Sequence, residues 1–152
     1  TGLLFILVGV VYEKAHTRYI PDLGGLAHSM PFVCVTFVIA GLASLGLPGL
    51  SGFVSEILVF LGAFSAWPWP TAIAVFGIVL AAGYILWMIQ RVFFGPVSSK
   101  HVQVKDIGVL EAIPVAVLVA TIVIVGIYPT FLTDVFSVGV DPIIENVRDI
   151  AR

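Results

Sequence analysis

Charge is what this sequence has least of. Only 11% of its 152 residues are charged, seven basic and nine acidic, for a formal net charge of -2. No run of Lys and Arg occurs, so the electrostatic footprint of a nucleic-acid binder is missing. No nucleic-acid partner is expected. Cysteine occurs once, as Cys34 inside an apolar run, which leaves no basis for a disulfide framework or a thiolate metal site. His16 and His28 have no cluster of further ligands around them, so they read as loop residues and no metal is expected.

What the chain has in abundance is apolar side chains: 60% of residues are hydrophobic and the mean hydropathy is +1.15. Soluble domains sit near an even balance. The composition predicts an integral, multi-pass membrane protein, all-α, built as a polytopic transmembrane helix bundle. A hydrocarbon core about 30 Å thick takes about 20 apolar residues to cross as a helix. Residues 2–12 span about half of that before Glu13, Lys14, His16 and Arg18 intervene. They read as the end of a longer helix. The chain starts at Thr1 without the features of a signal peptide, so a C-terminal fragment is expected. Residues 70–94 and 107–128 are one crossing each. The transmembrane region then runs to residue 136, leaving 137–152 as a tail. Asp141 stands there at a cap position and Pro142 at the first helical position. Ile143, Ile144, Val147 and Ile150 fall on one side and Glu145, Arg148, Asp149 and Arg152 on the other. This predicts a short amphipathic helix lying on the membrane surface or on a neighbouring subunit.

Residues 31–66 are too many for one straight crossing and barely enough for two. They are interrupted by "GLPGLSG", where Pro48 removes a backbone donor and Gly46, Gly49 and Gly52 weaken the helix. The stretch 46–52, with Ser51 in it, is expected to be extended. Charge decides between the two topologies. One interrupted crossing collects Lys14, Arg18, Arg91, Lys100 and Lys105, five of the seven basic residues, at one face, whereas two crossings split them four to three. The positive-inside rule favours one interrupted crossing with both loops cytoplasmic. Unwound backbone at membrane depth persists only where protein covers it or water reaches it, and in transporters such breaks hold ion sites.

Glu56 lies about one turn into the second half of this segment. An acid at the centre of a crossing costs about 2.5 to 3.5 kcal/mol, so it faces a bundle interior or a water-filled path. Hydrocarbon favours the neutral acid and an approaching cation favours the carboxylate, and a group that visits both states can relay a proton. A static ion pair to another helix is the alternative. The polar neighbours available at membrane depth are Thr36, Ser44, Tyr84 and Thr121. Trp67 and Trp69 of "WPWPT" read as interface anchors, and Arg91 and Glu111 as groups that snorkel or pair at the opposite interface.

"LFILVGVVYEKAHTRYI", "GGLAHSMP", "ASLGLPGLSGFVSEILVFLGAF" and "PTAIAVFGIVLAAGYILWMIQRVFFG" resemble, in order and spacing, the subunit M (chain 4) family of NADH-quinone oxidoreductase, respiratory complex I. The likeness runs from residue 2 to about residue 132, and "LPGLSGFVSE" is its most specific part. That family belongs to the antiporter-like group with complex I subunits L and N and the Mrp-type antiporter subunits. The residue matching Glu56 is Glu in the M type and typically Lys in the others.

The resemblance implies the C-terminal part of a fourteen-helix subunit, in which residues 2–12 end the eleventh helix and 31–66 form the interrupted twelfth. It implies proton translocation, with Glu56 as the relay of the second half-channel beside the broken-helix residues Gly46, Pro48, Gly49, Ser51 and Gly52. No cofactor is expected in this chain; NADH, FMN, iron-sulfur clusters and quinone would belong to other subunits. The implied partners are the other membrane subunits of complex I, the lipid bilayer and protons, in a bacterial-type cytoplasmic membrane. A cation/proton antiporter of Mrp type, a membrane-bound hydrogenase subunit and a purely structural scaffold remain as alternatives.

Overall fold

The computed structural model of the protein describes residues 1–97 and 104–150, so the expectations placed on Lys100 and Arg152 lie outside the described residues. The described residues are all-α. Seven helices follow one another: α1 (Gly2–Ala15), α2 (Leu26–Ser29), α3 (Pro31–Ser44), α4 (Ser51–Ala66), α5 (Pro68–Phe93), α6 (Val109–Ile127) and α7 (Thr130–Ile150). Two of them, α5 and α6, are long and apolar enough to cross a membrane singly.

Local sequence explains most of the boundaries. α1 stops at His16, which takes a left-handed conformation (φ 55°) and donates its backbone N–H to the Tyr12 carbonyl at 2.8 Å. The Arg18 guanidinium then folds back over the Tyr12 ring, 4.2 Å from its centroid. Pro31 and Pro68 open α3 and α5 at the first helical position, where a missing N–H is no loss. Leu3, Leu7, Val11 and Ala15 make a buried stripe four residues apart along α1. With Leu26, Met30, Val33, Phe93 and Val115 this stripe forms the core.

α3 and α4 lie in series along α5. Phe37 of α3 packs on Phe93 at the end of α5, with ring centroids 5.1 Å apart, and a methyl added to Gly41 would meet Ile85 and Ile89. Farther on, Ile57, Phe60 and Phe64 of α4 share a groove with Thr71 and Val75 at the start of α5. A single helix of 26 residues, about 39 Å long, is therefore followed first by α3 and then by α4 in the antiparallel sense. A hairpin of α3 and α4 would have brought Phe64 back to the Phe93 end, and it does not return there.

The two loops meet at one end of the bundle. Gly24 and Gly25 press against Pro96 and Val97. The Phe32 N–H at the start of α3 donates to the Asp106 Oδ2 at 2.6 Å. Lys14 of α1 pairs with Glu111 of α6, Nζ to Oε2 3.4 Å. Glu111 also accepts the Gly108 N–H at 3.2 Å, closing the first turn of α6.

The tail differs from its expected form. α7 begins at Thr130 and continues through Pro142, which therefore lies inside a helix instead of opening one. Asp141-Pro142 carries the residue types of a helix start, but the Leu132 and Thr133 N–H groups already turn on the Pro129 carbonyl, at 2.9 and 3.1 Å. That earlier turn sets the helix going twelve residues sooner, and it spans the boundary placed between residues 136 and 137.

Candidate functional site

The break between α3 and α4 is a capped turn. The Leu47 N–H donates to the Leu42 carbonyl at 3.1 Å and the Gly46 N–H to the Ala43 carbonyl at 3.3 Å, with Gly46 at φ 67°. These two bonds about one left-handed glycine make a Schellman motif, which satisfies carbonyls left over at the end of α3. Leu50 then donates to Leu47 at 3.1 Å, with Gly49 at φ 89° between them. The non-helical segment is 45–50. It is shorter than the extended stretch 46–52 that the sequence suggested, because Ser51 and Gly52 already belong to α4. Gly52 serves another purpose: a methyl there would meet the Ala43 carbonyl oxygen, so its bareness lets α4 approach the end of α3.

Glu56 projects from the second turn of α4. Helical side chains lean toward the N-terminus, so its carboxylate lies back over the first turn, against the break. A methyl on Gly46 would coincide with the carboxylate oxygens. Gly46 thus meets two demands at once, a left-handed backbone and room for the acid. Among the described residues the half-buried Glu56 carboxylate has no hydrogen-bond or ion-pair partner. It lines a cavity of about 350 Å³ with Leu3 of α1, Ala43 and Ser44 of α3, Ser51 of α4 and Ile122 of α6. Four helices converge there, and among the described residues Glu56 is the one ionisable side chain on its wall.

Of the residues singled out in the sequence, Glu56, Ser51 and Gly52 come together on this wall and Gly46 backs the carboxylate. Pro48 and Gly49 shape the turn but are exposed and do not line the cavity. Of the four polar neighbours considered, only Ser44 reaches it. The Thr36 hydroxyl donates to the Phe32 carbonyl at 2.9 Å, the Thr121 hydroxyl to the Val117 carbonyl at 2.9 Å, and Tyr84 is exposed. At the loop end Glu111 pairs with Lys14, and the Arg91 guanidinium lies 4.8 Å from the Trp87 ring centroid.

Two supporting residues escaped the sequence reading. Asp106 caps α3 from 74 residues away, and nothing local announces so distant a bond. Gly126 packs against Gly49 and Leu50, seating α6 on the break. Its signal was present, since a lone Gly in the β-branched run "TIVIVGI" has no helical reason to be there.

Residues 1–81 match the family described as NADH:quinone oxidoreductase/Mrp antiporter, TM. The chain is 38% identical over 147 residues to the NADH-quinone oxidoreductase subunit M of Rhodobacter capsulatus, covering 96% of this chain and 29% of that protein. It is also 38% identical over 133 residues to the F(420)H(2) dehydrogenase subunit M of Methanosarcina mazei, covering 88% of this chain and 27% of that one. Among solved structures, a chain of respiratory complex I from Thermus thermophilus with bound NADH superimposes with a TM-score of 0.77 at 36% identity. That match covers 84% of this chain and 27% of the solved one. The chain thus spans less than a third of the length of these relatives.

Proposed function

Because the chain belongs to the NADH:quinone oxidoreductase/Mrp antiporter transmembrane family, we propose that it works within a subunit M of a proton-translocating NADH-quinone oxidoreductase, with Glu56 as a proton relay. One observation carries the relay: the Glu56 carboxylate, unpaired among the described residues, stands at the seam of two half-helices, in a cavity walled by four helices. In this reading the carboxyl group passes a proton to and from water in the cavity. The chemistry needs no cofactor bound to this chain. NADH, FMN, iron-sulfur clusters and quinone belong in this reading to other subunits of the complex.

The series arrangement of α3 and α4 along α5 supports a single interrupted crossing, and the basic loops at one end support a cytoplasmic location for that end. The setting in this reading is a bacterial-type cytoplasmic membrane, with other membrane subunits and lipid around the bundle. Many large side chains of α4 and α5 are exposed, among them Leu61, Phe64, Phe76 and Leu80, as contact with hydrocarbon or neighbouring helices requires.

The test is substitution of Glu56 in the assembled complex. Glu56→Gln keeps shape and hydrogen bonding without an exchangeable charge, and Glu56→Asp keeps the acid. In vesicles Glu56→Gln is expected to lower pumping per electron about a hundredfold, the low end of what proton-transfer groups contribute, while Glu56→Asp retains much of it. Normal pumping by Glu56→Gln removes the relay. Loss of the subunit from the purified complex assigns Glu56 to a structural ion pair, whose breaking costs about 3 to 5 kcal/mol.

A second reading concerns the electron donor. The equal identity to a subunit named for F(420)H(2) dehydrogenase makes a deazaflavin-linked complex the competitor. Native membranes given NADH or reduced F420 separately distinguish the two by which donor drives proton uptake.

A further inference from the structure

Seven serine and threonine side chains sit on α3 to α6. Five of them return the hydroxyl proton to a carbonyl of their own helix: Thr36 to Phe32 (2.9 Å), Ser55 to Gly52 (2.8 Å), Ser65 to Gly62 (2.8 Å), Thr71 to Trp67 (2.7 Å) and Thr121 to Val117 (2.9 Å). That is the expected habit of a hydroxyl at membrane depth, where nothing else accepts its proton. The other two are Ser44 and Ser51. Neither hydroxyl has a hydrogen-bond partner among the described residues, and both line the cavity of Glu56.

We propose that Ser44 and Ser51 are the proton-carrying hydroxyls of the Glu56 site, joining the two half-helices through water across the break. The proposal rests on the relay reading of Glu56 and deepens it. Ser44 closes α3 and Ser51 opens α4, so one hydroxyl stands on each side of the capped turn. A serine hydroxyl both donates and accepts, which a chain of proton hops requires at every member. The cavity of about 350 Å³ has room for several waters between polar walls. In each transfer the serine oxygen accepts a proton from a water on one side while its own proton passes to the next water, and the last hop places a proton on the Glu56 carboxylate. Every hydroxyl ends with one proton, as it began. One proton has moved and no bond between heavy atoms has changed.

Both hydroxyls stand at a helix end. Ser51 is the first residue of α4, where a side chain has no preceding turn of its own helix to bond to. Ser44 is the last residue of α3, immediately before the capping turn, and its hydroxyl faces the cavity rather than a carbonyl of its own helix.

The test compares three double or single variants with the parent complex in vesicles, together with subunit abundance. Ser44→Ala with Ser51→Ala is expected to lower pumping per electron about fivefold, the rate equivalent of one ordinary hydrogen bond. Ser44→Thr with Ser51→Thr, which keeps both hydroxyls, is expected to restore most of it at equal abundance. Ser55→Ala, whose hydroxyl is already spent on its own helix, is expected to pump as the parent. Full pumping by the alanine pair, with Glu56→Gln defective in the same assay, overturns the hydroxyl path and leaves the relay standing. If Glu56→Gln pumps fully too, the relay itself has failed. An alanine pair that lowers subunit abundance, or a threonine pair that fails to restore pumping, assigns the serines to packing and overturns the proposal.

Discussion

Single residues carry the site, and Gly46 shows how much one of them can be asked to do. Its left-handed backbone caps α3 and its missing side chain makes room for the Glu56 carboxylate. Gly49 has a left-handed backbone too, but a methyl there meets open space. Alanine in that conformation costs about 1 to 2 kcal/mol at either position. Gly46→Ala and Gly49→Ala are therefore expected to lower thermal stability by similar amounts, while only Gly46→Ala displaces the acid and loses pumping. Equal pumping by both variants would separate Gly46 from the chemistry. At the loop end Asp106 and Glu111 make a similar contrast. Asp106 accepts the Phe32 N–H, a charge-assisted cap, whereas the Lys14–Glu111 pair is partly exposed and screened by water. Asp106→Ala is expected to cost about 1 kcal/mol, the usual loss of a cap. Glu111→Gln, which keeps its bond from Gly108, is expected to cost less than about 0.5 kcal/mol, within the range of exposed pairs. Melting of the purified complex in low and high salt checks both, since high salt screens away the Glu111 effect while Asp106 keeps the hydrogen bond of its cap. Glu56 and Gly46 were legible in the sequence because an acid or a glycine in an apolar run has a local cost that wants a reason. Ser44 and Ser51 were legible only as polar residues, since which hydroxyls lack a partner is decided by where each helix starts and stops.

Helices were legible to within a few residues wherever apolar length and a boundary proline agreed, as for α5, expected over 70–94 and observed over Pro68–Phe93. The break was legible as a break but not as a shape. Pro and Gly announce that a helix ends, and they do not say that a Schellman turn will let the next one begin at Ser51. The tail misled for the opposite reason: Asp141-Pro142 has the chemistry of a start, yet α7 runs through it from Thr130. This difference has a measurable consequence. A proline inside a helix removes a bond and crowds the preceding turn at about 3 kcal/mol, whereas at the first position it is nearly free. Pro142→Ala is therefore expected to raise the helix content and protease resistance of residues 130–150 in detergent-solubilised protein. No gain, or a loss, would indicate that the helix starts at Pro142 after all.

At the scale of the whole molecule, the proposed single interrupted crossing draws on two kinds of observation that share no premise. Charge placement gathers five of seven basic residues into or beside two loops, which the positive-inside rule assigns to one side. Packing puts the same loops in contact, Gly24 and Gly25 on Pro96 and Val97, and runs α3 and α4 in series along α5. A two-crossing arrangement of 31–66 would need the loops at opposite faces, and no rearrangement of side chains could then join Phe32 to Asp106. The opposite end of the bundle carries Trp67 and Trp69, both exposed, where their rings suit a headgroup layer. Three single cysteines test this, in a background where the buried Cys34 is left in place. Tyr19 and Val97, 65% and 50% exposed, mark the loop end, and Trp69, 81% exposed, marks the other. With a membrane-impermeant thiol reagent, Tyr19→Cys and Val97→Cys are expected to react only in inside-out vesicles and Trp69→Cys only in right-side-out ones. Reaction of the first two from opposite sides would split the loops and make 31–66 two crossings, which would take Glu56 away from mid-membrane. Reaction of all three from the same side would leave α5 unable to cross at all. Reversed but consistent labelling would keep the interrupted crossing and overturn only its orientation, because the series packing bears on which loops share a face and charge alone bears on which face it is.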